Sequence, residues 1–139
     1  MLRRTIVTLL VVASAAVTMV PANAAGTQVK LGKTSHGRVL VGPSGLSLYL
    51  FTPDTRNKSK CNVVCQYAWP PLKTSGRPRA ATGVRQGELG QTAQHQVTYY
   101  GHPLYYYGGD SKPGQASGEG IHSFGGSWYL VNANGRAVK

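Results

Sequence analysis

Acidic residues are scarce. Four Asp and Glu stand against fifteen Lys and Arg in 139 residues, for a formal net charge of +11. So small a set argues against an oxygen cage for calcium, which needs several carboxylates close together. It leaves Asp54 with Asp110 as the pair a hydrolase could use, brought together by internal symmetry. The G-x-S-x-G elbow, the H-E-x-x-H helix and the G-x-x-x-x-G-K-[ST] loop are all missing. So are the RNA-reading aromatic–basic pattern and a helix-turn-helix, and no nucleic acid is expected as a partner. Beyond the N-terminal stretch, no segment is apolar enough to span a bilayer.

That stretch begins with Arg3 and Arg4, continues as a mostly apolar run to Val20, and ends in Ala22-Asn23-Ala24. The order is that of a signal peptide over residues 1–24, cleaved after Ala24. A retained anchor is the alternative, but Pro21 and the small-residue site end the run. No cysteine lies there to accept a lipid, so the mature chain is expected to be secreted and free. Losing Arg3 and Arg4 would leave thirteen Lys and Arg against four Asp and Glu, a net charge of +9. Seven of these cations are Arg56, Lys58, Lys60, Lys73, Arg77, Arg79 and Arg85. Such a cluster suits anionic cell-wall polymers or lipid headgroups, or a solvated face that keeps an exported protein soluble.

Cysteine is limited to Cys61 and Cys65, spaced C-x3-C. In an oxidising compartment the pair predicts a structural disulfide, contributing ~2 kcal/mol across so short a loop. The alternative is an extracytoplasmic copper or zinc site, or a redox pair. In the metal case one of His36, His95, His102 or His122 would join the thiolates. No cofactor is expected if the disulfide forms.

What the chain does have is a repeat. At a constant offset of 56, Gly45 pairs with Gly101, Leu48 with Leu104, Tyr49 with Tyr105, Phe51 with Tyr107 and Asp54 with Asp110. Trp69 and Trp128 follow 15 and 18 residues after their aspartates. Two copies are too few for a solenoid and fit two halves of one domain. Eighteen glycines, eight prolines and short alternating runs predict an all-β or β-dominated fold with little helix. Its parts are a loose segment at 25–37, repeat 1 at 38–72, a mobile linker at 73–95, and repeat 2 with a C-terminal strand at 96–139. "CNVVCQYAW" reads as a short helical turn ended by Pro70 and Pro71.

The matching aromatics Tyr49, Phe51, Trp69, Tyr105, Tyr107 and Trp128 are expected to share a core. Asp54 and Asp110 are expected to bond backbone N–H groups of their own turns or to accept from a tyrosine hydroxyl. Tyr99, Tyr100 and Tyr106 lack aromatic counterparts and are the candidates for a binding surface.

"YLFTPD" (49–54) and "YYYGGD" (105–110) both fit Y-x-[FWY]-x-x-D. With "DTRNKSKCNVVCQYAWPPL" and "VTYYGHPLYYYGGDSKPGQASGEG", the chain resembles a bacterial family of predicted lipoproteins and secreted repeats of unknown function. The resemblance covers roughly 38 to 131. It implies a small secreted or envelope domain of two repeats, without an established activity or catalytic residues to carry over. The chain departs from the plainer pattern at "IHSFGGSW", where His122 and Phe124 enlarge the loop before Trp128.

Overall fold

Successive residues of a strand point to opposite faces, so "SLYLF" at 47–51, buried throughout, must be covered on both sides. Leu48 and Leu50 enter an aliphatic cluster with Leu40, Val97, Tyr99, Leu104 and Val131. Tyr49 and Phe51 enter an aromatic cluster with Trp69, Tyr105, Trp128, Leu130 and both cysteines. Repeat 2 divides the same way, Leu104 to the aliphatic side and Tyr105 to the aromatic side.

The computed structural model describes residues 8–16 and 26–139. Arg3, Arg4 and the Ala22–Ala24 cleavage motif lie outside the described residues. Among those described, no helix is long and apolar enough to cross a membrane. The elements are β1 (Gln28–Thr34), β2 (Gly37–Val41), β3 (Tyr49–Phe51), α1 (Val63–Ala68), β4 (Arg79–Ala80), β5 (Leu89–Gln91), β6 (Val97–Tyr99), β7 (His102–Pro103), β8 (His122–Ser123) and β9 (Gly126–Leu130). They form three small sheets, ordered β2-β1-β4, β3-β9-β8 and β5-β6-β7. Among the described residues the fold is β-dominated, with one short α-helix and a 3-10 turn at Gln86–Glu88.

The two repeats exchange their last strands. β9 of repeat 2 runs antiparallel to β3 of repeat 1, with Tyr49 opposite Leu130 and Phe51 opposite Trp128. Reciprocally, the segment after α1 lies along repeat 2: the Tyr106 N–H donates to Pro70 O and the Gly108 N–H to Ala68 O, both at 2.8 Å. Between these pairings Tyr49 and Tyr105 bond each other, N–H to carbonyl in both directions at 2.8 and 3.0 Å. Two residues related by the repeat that bond each other reciprocally lie on a pseudo-twofold axis.

The rings obey the same axis. Trp69 and Trp128 stack at 3.9 Å with planes 2° apart. Phe51 stacks outside Trp128 at 4.1 Å, and its counterpart Tyr107 lies outside Trp69 at 4.5 Å. Tyr49 and Tyr105 meet Trp69 and Trp128 edge-on at 5.4 and 5.1 Å. Offset and edge-to-face aromatic pairs add about 0.5–1.5 kcal/mol each beyond area burial.

Two segments differ from the sequence-based expectation. The loose segment 25–37 contains β1, whose polar residues hid a strand anchored by Val29, fully buried in the aliphatic cluster. The 73–95 linker carries β4 and β5, and Val84 and Leu89 are buried in the same cluster. A few spaced apolar residues suffice there because β1 holds β4 in register, Gln28 opposite Arg79. The turn in repeat 1 is a helix, α1. The Asn62 side chain caps it by accepting from the Cys65 N–H at 3.0 Å, and Pro70 and Pro71 follow its end. Cys61 and Cys65 are joined as a disulfide beneath it.

Removing one tryptophan leaves its partner half uncovered. Trp69→Ala and Trp128→Ala should each cost about 3–5 kcal/mol. Urea unfolding followed by near-UV circular dichroism checks this, and a loss under 1 kcal/mol would show the stack to be dispensable.

Candidate functional site

Both aspartates end their strands in the same turn: the Asp54 N–H donates to Phe51 O at 3.1 Å and the Asp110 N–H to Tyr107 O at 3.0 Å. Each carboxylate then crosses to the other repeat. The Tyr49 hydroxyl donates to Asp110 Oδ2 at 2.6 Å, and the Tyr105 hydroxyl to Asp54 Oδ2 at 2.8 Å. The remaining oxygens hold the loops that follow. Asp54 Oδ1 accepts from the Lys60 N–H at 2.6 Å, and Asp110 Oδ1 from the Ser117 N–H at 3.0 Å. Burial pushes both tyrosine hydroxyls above the ordinary phenol range, so they stay protonated donors at neutral pH.

The two crossings are equivalent in bonding and unequal in access. Asp110 is 8% exposed, and the Gly118 N–H donates to the Tyr49 hydroxyl at 3.2 Å. A Cβ on Gly118 would meet Trp69 and Tyr49 ring atoms at 2.9 Å, so only glycine lets the loop close there. Asp54 instead lines a cavity of about 420 Å³, with Leu50, Phe51, Thr52, His102, Tyr129 and the C-terminal residues Gly135, Arg136, Ala137 and Lys139. Burial raises the Asp54 pKa to about 6 against the lowering by its Lys60 N–H and Tyr105 O–H donors. Burial also lowers that of His102, which favours the neutral imidazole.

Near the disulfide lie two adjoining polar hollows of about 390 and 300 Å³, sharing Ser59 and Gln94. Gln66, Lys73 and Gln96 line the first; Asn57, Lys58 and Lys60 line the second. Neither contains a carboxylate among its lining residues. The seven cations from Arg56 to Arg85 are all exposed, and residues 55–87 contain no Asp or Glu. Asp54, Asp110 and Glu119 are spent inside; Glu119 accepts from the Leu130 N–H at 2.6 Å.

Of the three tyrosines singled out for a surface, Tyr99 is fully buried; its hydroxyl donates to Ala133 O at 2.6 Å. As the last residue of β6, it points into the aliphatic cluster. Tyr100 sits at φ +49° in a two-residue hairpin loop with Gly101, its ring against Gly135 and edge-on to Tyr99 at 4.9 Å. Tyr106 packs against the aliphatic cluster and reaches Gly42 with its hydroxyl. The exposed aromatics are Phe124 and, more fully, Tyr67, which lies beside exposed Val63 and Val64 on α1. Helical spacing of these three within "NVVCQY" was the signal.

The histidines are dispersed. His36, His95 and His122 are exposed, His95 and His122 bonding Gln91 and Ser127, and His102 lines the large cavity. Among the described residues no group of three or more His, Cys, Asp and Glu is placed to hold a metal. The cysteine sulfurs are bonded to each other. The "IHSFGGSW" enlargement is the β8–β9 hairpin, with Phe124 and Gly125 at positive φ in its two-residue loop. Sequence reasoning missed Tyr129, Arg136 and Lys139 at the cavity and Gln66, Gln94 and Gln96 at the hollows, since nothing in their spacing marks them.

Fold and site together define a small β protein of two strand-exchanged repeats, locked by crossed tyrosine–aspartate bonds and pinned by one disulfide. The chain belongs to the family of secreted repeats of unknown function, whose model matches residues 30–73 and 87–132. Each matched segment takes in one more strand than the 38–72 and 96–139 boundaries, β1 in part and β5 in full. No curated protein and no solved structure matches the chain.

The unequal access predicts unequal mutational costs. Tyr49→Phe strands a sealed carboxylate and should cost about 2–3 kcal/mol, whereas Tyr105→Phe should cost about 1, because Asp54 can be rewetted from the cavity. Equal losses in urea unfolding would contradict this asymmetry. The Asp54 pKa is raised on folding, so its stabilising contribution is full below the unfolded value near 3.8 and lost as pH rises through about 6. Wild type should therefore lose stability relative to Asp54→Asn between those values, and parallel stability–pH curves would refute it.

Proposed function

We propose that the chain is a secreted, non-enzymatic module, free of a lipid anchor, that binds anionic polymers of the cell surface. The observation that carries this is the division of charge. Three of the four carboxylates are consumed by the crossed locks and the β9 backbone, while an acid-free segment presents seven exposed cations. Charge that finds no internal partner raises the local concentration of an anionic ligand and steers it in. The hollows beside the disulfide add the groups a hydrated polymer needs: amides that donate and accept, with Lys58, Lys60 and Lys73 among them. Pinned by Asn62 and the disulfide, α1 keeps that side of the molecule rigid, which limits the entropy lost on binding.

The test is retention on isolated cell envelopes. Raising salt from about 0.1 M to about 1 M shortens the Debye length from about 10 Å to about 3 Å. It should release most of the bound protein. The quadruple variant Lys58→Gln, Lys60→Gln, Arg77→Gln, Arg79→Gln should bind about tenfold more weakly or less at low salt. Retention indifferent to both salt and substitution would overturn the reading.

A further inference from the structure

A duplicated fold carries its own control, because whatever the scaffold requires should occur in both halves. The crossed locks, paired tryptophans and Tyr49–Tyr105 bridge do. The cavity at Asp54 is the point of difference: the Tyr49–Asp110 lock is closed over by Gly118, while the Tyr105–Asp54 lock opens into about 420 Å³. One substitution within the repeat accompanies the difference. Where repeat 2 has Tyr106, its ring packed on the aliphatic cluster and its hydroxyl at Gly42, repeat 1 has the shorter Leu50. The cavity lies over Leu50.

Its lining has two halves of different chemistry. Leu50 and Tyr129, opposite each other across β3 and β9, give an apolar floor. Arg136 and Lys139 stand on the C-terminal wall, with the Lys139 Nζ 5.3 Å from the Tyr129 ring centroid. The one side-chain carboxyl in the lining, on Asp54, already has an internal donor on each oxygen. The charged side chains left free to bond a ligand are therefore the cations Arg136 and Lys139. An inorganic anion would leave the floor unused and a neutral hydrocarbon would leave the cations unused. Small-molecule sites are clefts of this size, mostly apolar with a few placed polar groups.

We propose that this cavity binds a small amphipathic organic anion, its ring or acyl body on Leu50 and Tyr129 and its acid group on Arg136 and Lys139. The site shares no lining residue with the two polar hollows and does not rest on the polymer-binding reading. His102 and Thr52, on the rim, supply hydrogen bonds to a polar substituent of the ligand.

The probe is 1-anilinonaphthalene-8-sulfonate, titrated into the intact protein and followed by its own emission and by quenching of tryptophan. One saturable site is expected. Arg136→Gln with Lys139→Gln, both on exposed side chains, should weaken it at least about tenfold, since a charge-assisted contact is lost at each. Arg77→Gln with Arg79→Gln should leave it unchanged. Ala137→Phe, which fills the cavity from its rim, should abolish it while retention on cell envelopes persists. Uncharged 1-anilinonaphthalene should bind far more weakly than the sulfonate. Equal affinity for the two probes, or equal loss from the two charge-neutralising pairs, would overturn the proposal. So would undiminished binding to a folded Ala137→Phe variant. The exposed-charge variants decide the matter even if the filled variant fails to fold.

Discussion

Two strands of one chain meet at Tyr49 and Tyr105, each giving its N–H to the other's carbonyl, and each sending its hydroxyl to the other repeat's aspartate. Four polar contacts on one axis thereby set the register of both halves. That register places Phe51 on Trp128 and Tyr107 on Trp69, and brings the two indoles face to face. A slip of one residue would turn every ring to the aliphatic side. The carboxylates specify the arrangement as much as they stabilise it, because a buried acid tolerates only the pairing that supplies its donors.

The same locks explain the charge of the surface. With three of its four acids committed to hydroxyl and amide donors, the molecule has little left with which to neutralise its lysines and arginines. Structural economy inside and uncompensated charge outside are two sides of one allocation.

How much of this is legible in the sequence depends on the range of the interaction. The 56-residue offset is visible because Tyr49, Phe51 and Asp54 need the same neighbours as Tyr105, Tyr107 and Asp110. The helix cap at Asn62, the proline stop and the C-x3-C pair are local and equally readable. Strand exchange is not, since "SWYLV" has the same alternation whether it pairs with its own repeat or the other. β1 escapes notice because Lys30, Gly32 and Lys33 dilute its pattern, and its support comes from β2 and β4, far along the chain. Tyr99 misleads for a related reason: lacking a counterpart marks a residue as different, not as exposed, and here the difference fills the core of one half. The cavity depends on Tyr129 and on Gly135, Arg136, Ala137 and Lys139 folding back over Leu50, a contact with no trace in local spacing.

Strand exchange has a consequence for ancestry. One repeat alone would have an aspartate whose tyrosine is missing, a tryptophan with one bare face, and a last strand with nothing of its own to lie on. Two identical copies would satisfy one another completely, as an intertwined homodimer with a true twofold axis. The segment from Lys73 to Gln86 therefore does what a concentrated solution would otherwise have to do: it turns an encounter between molecules into the closing of a loop. Once joined, the halves were free to diverge. One could keep its end sealed while the other opened, a freedom that strict symmetry denies to a dimer of equals.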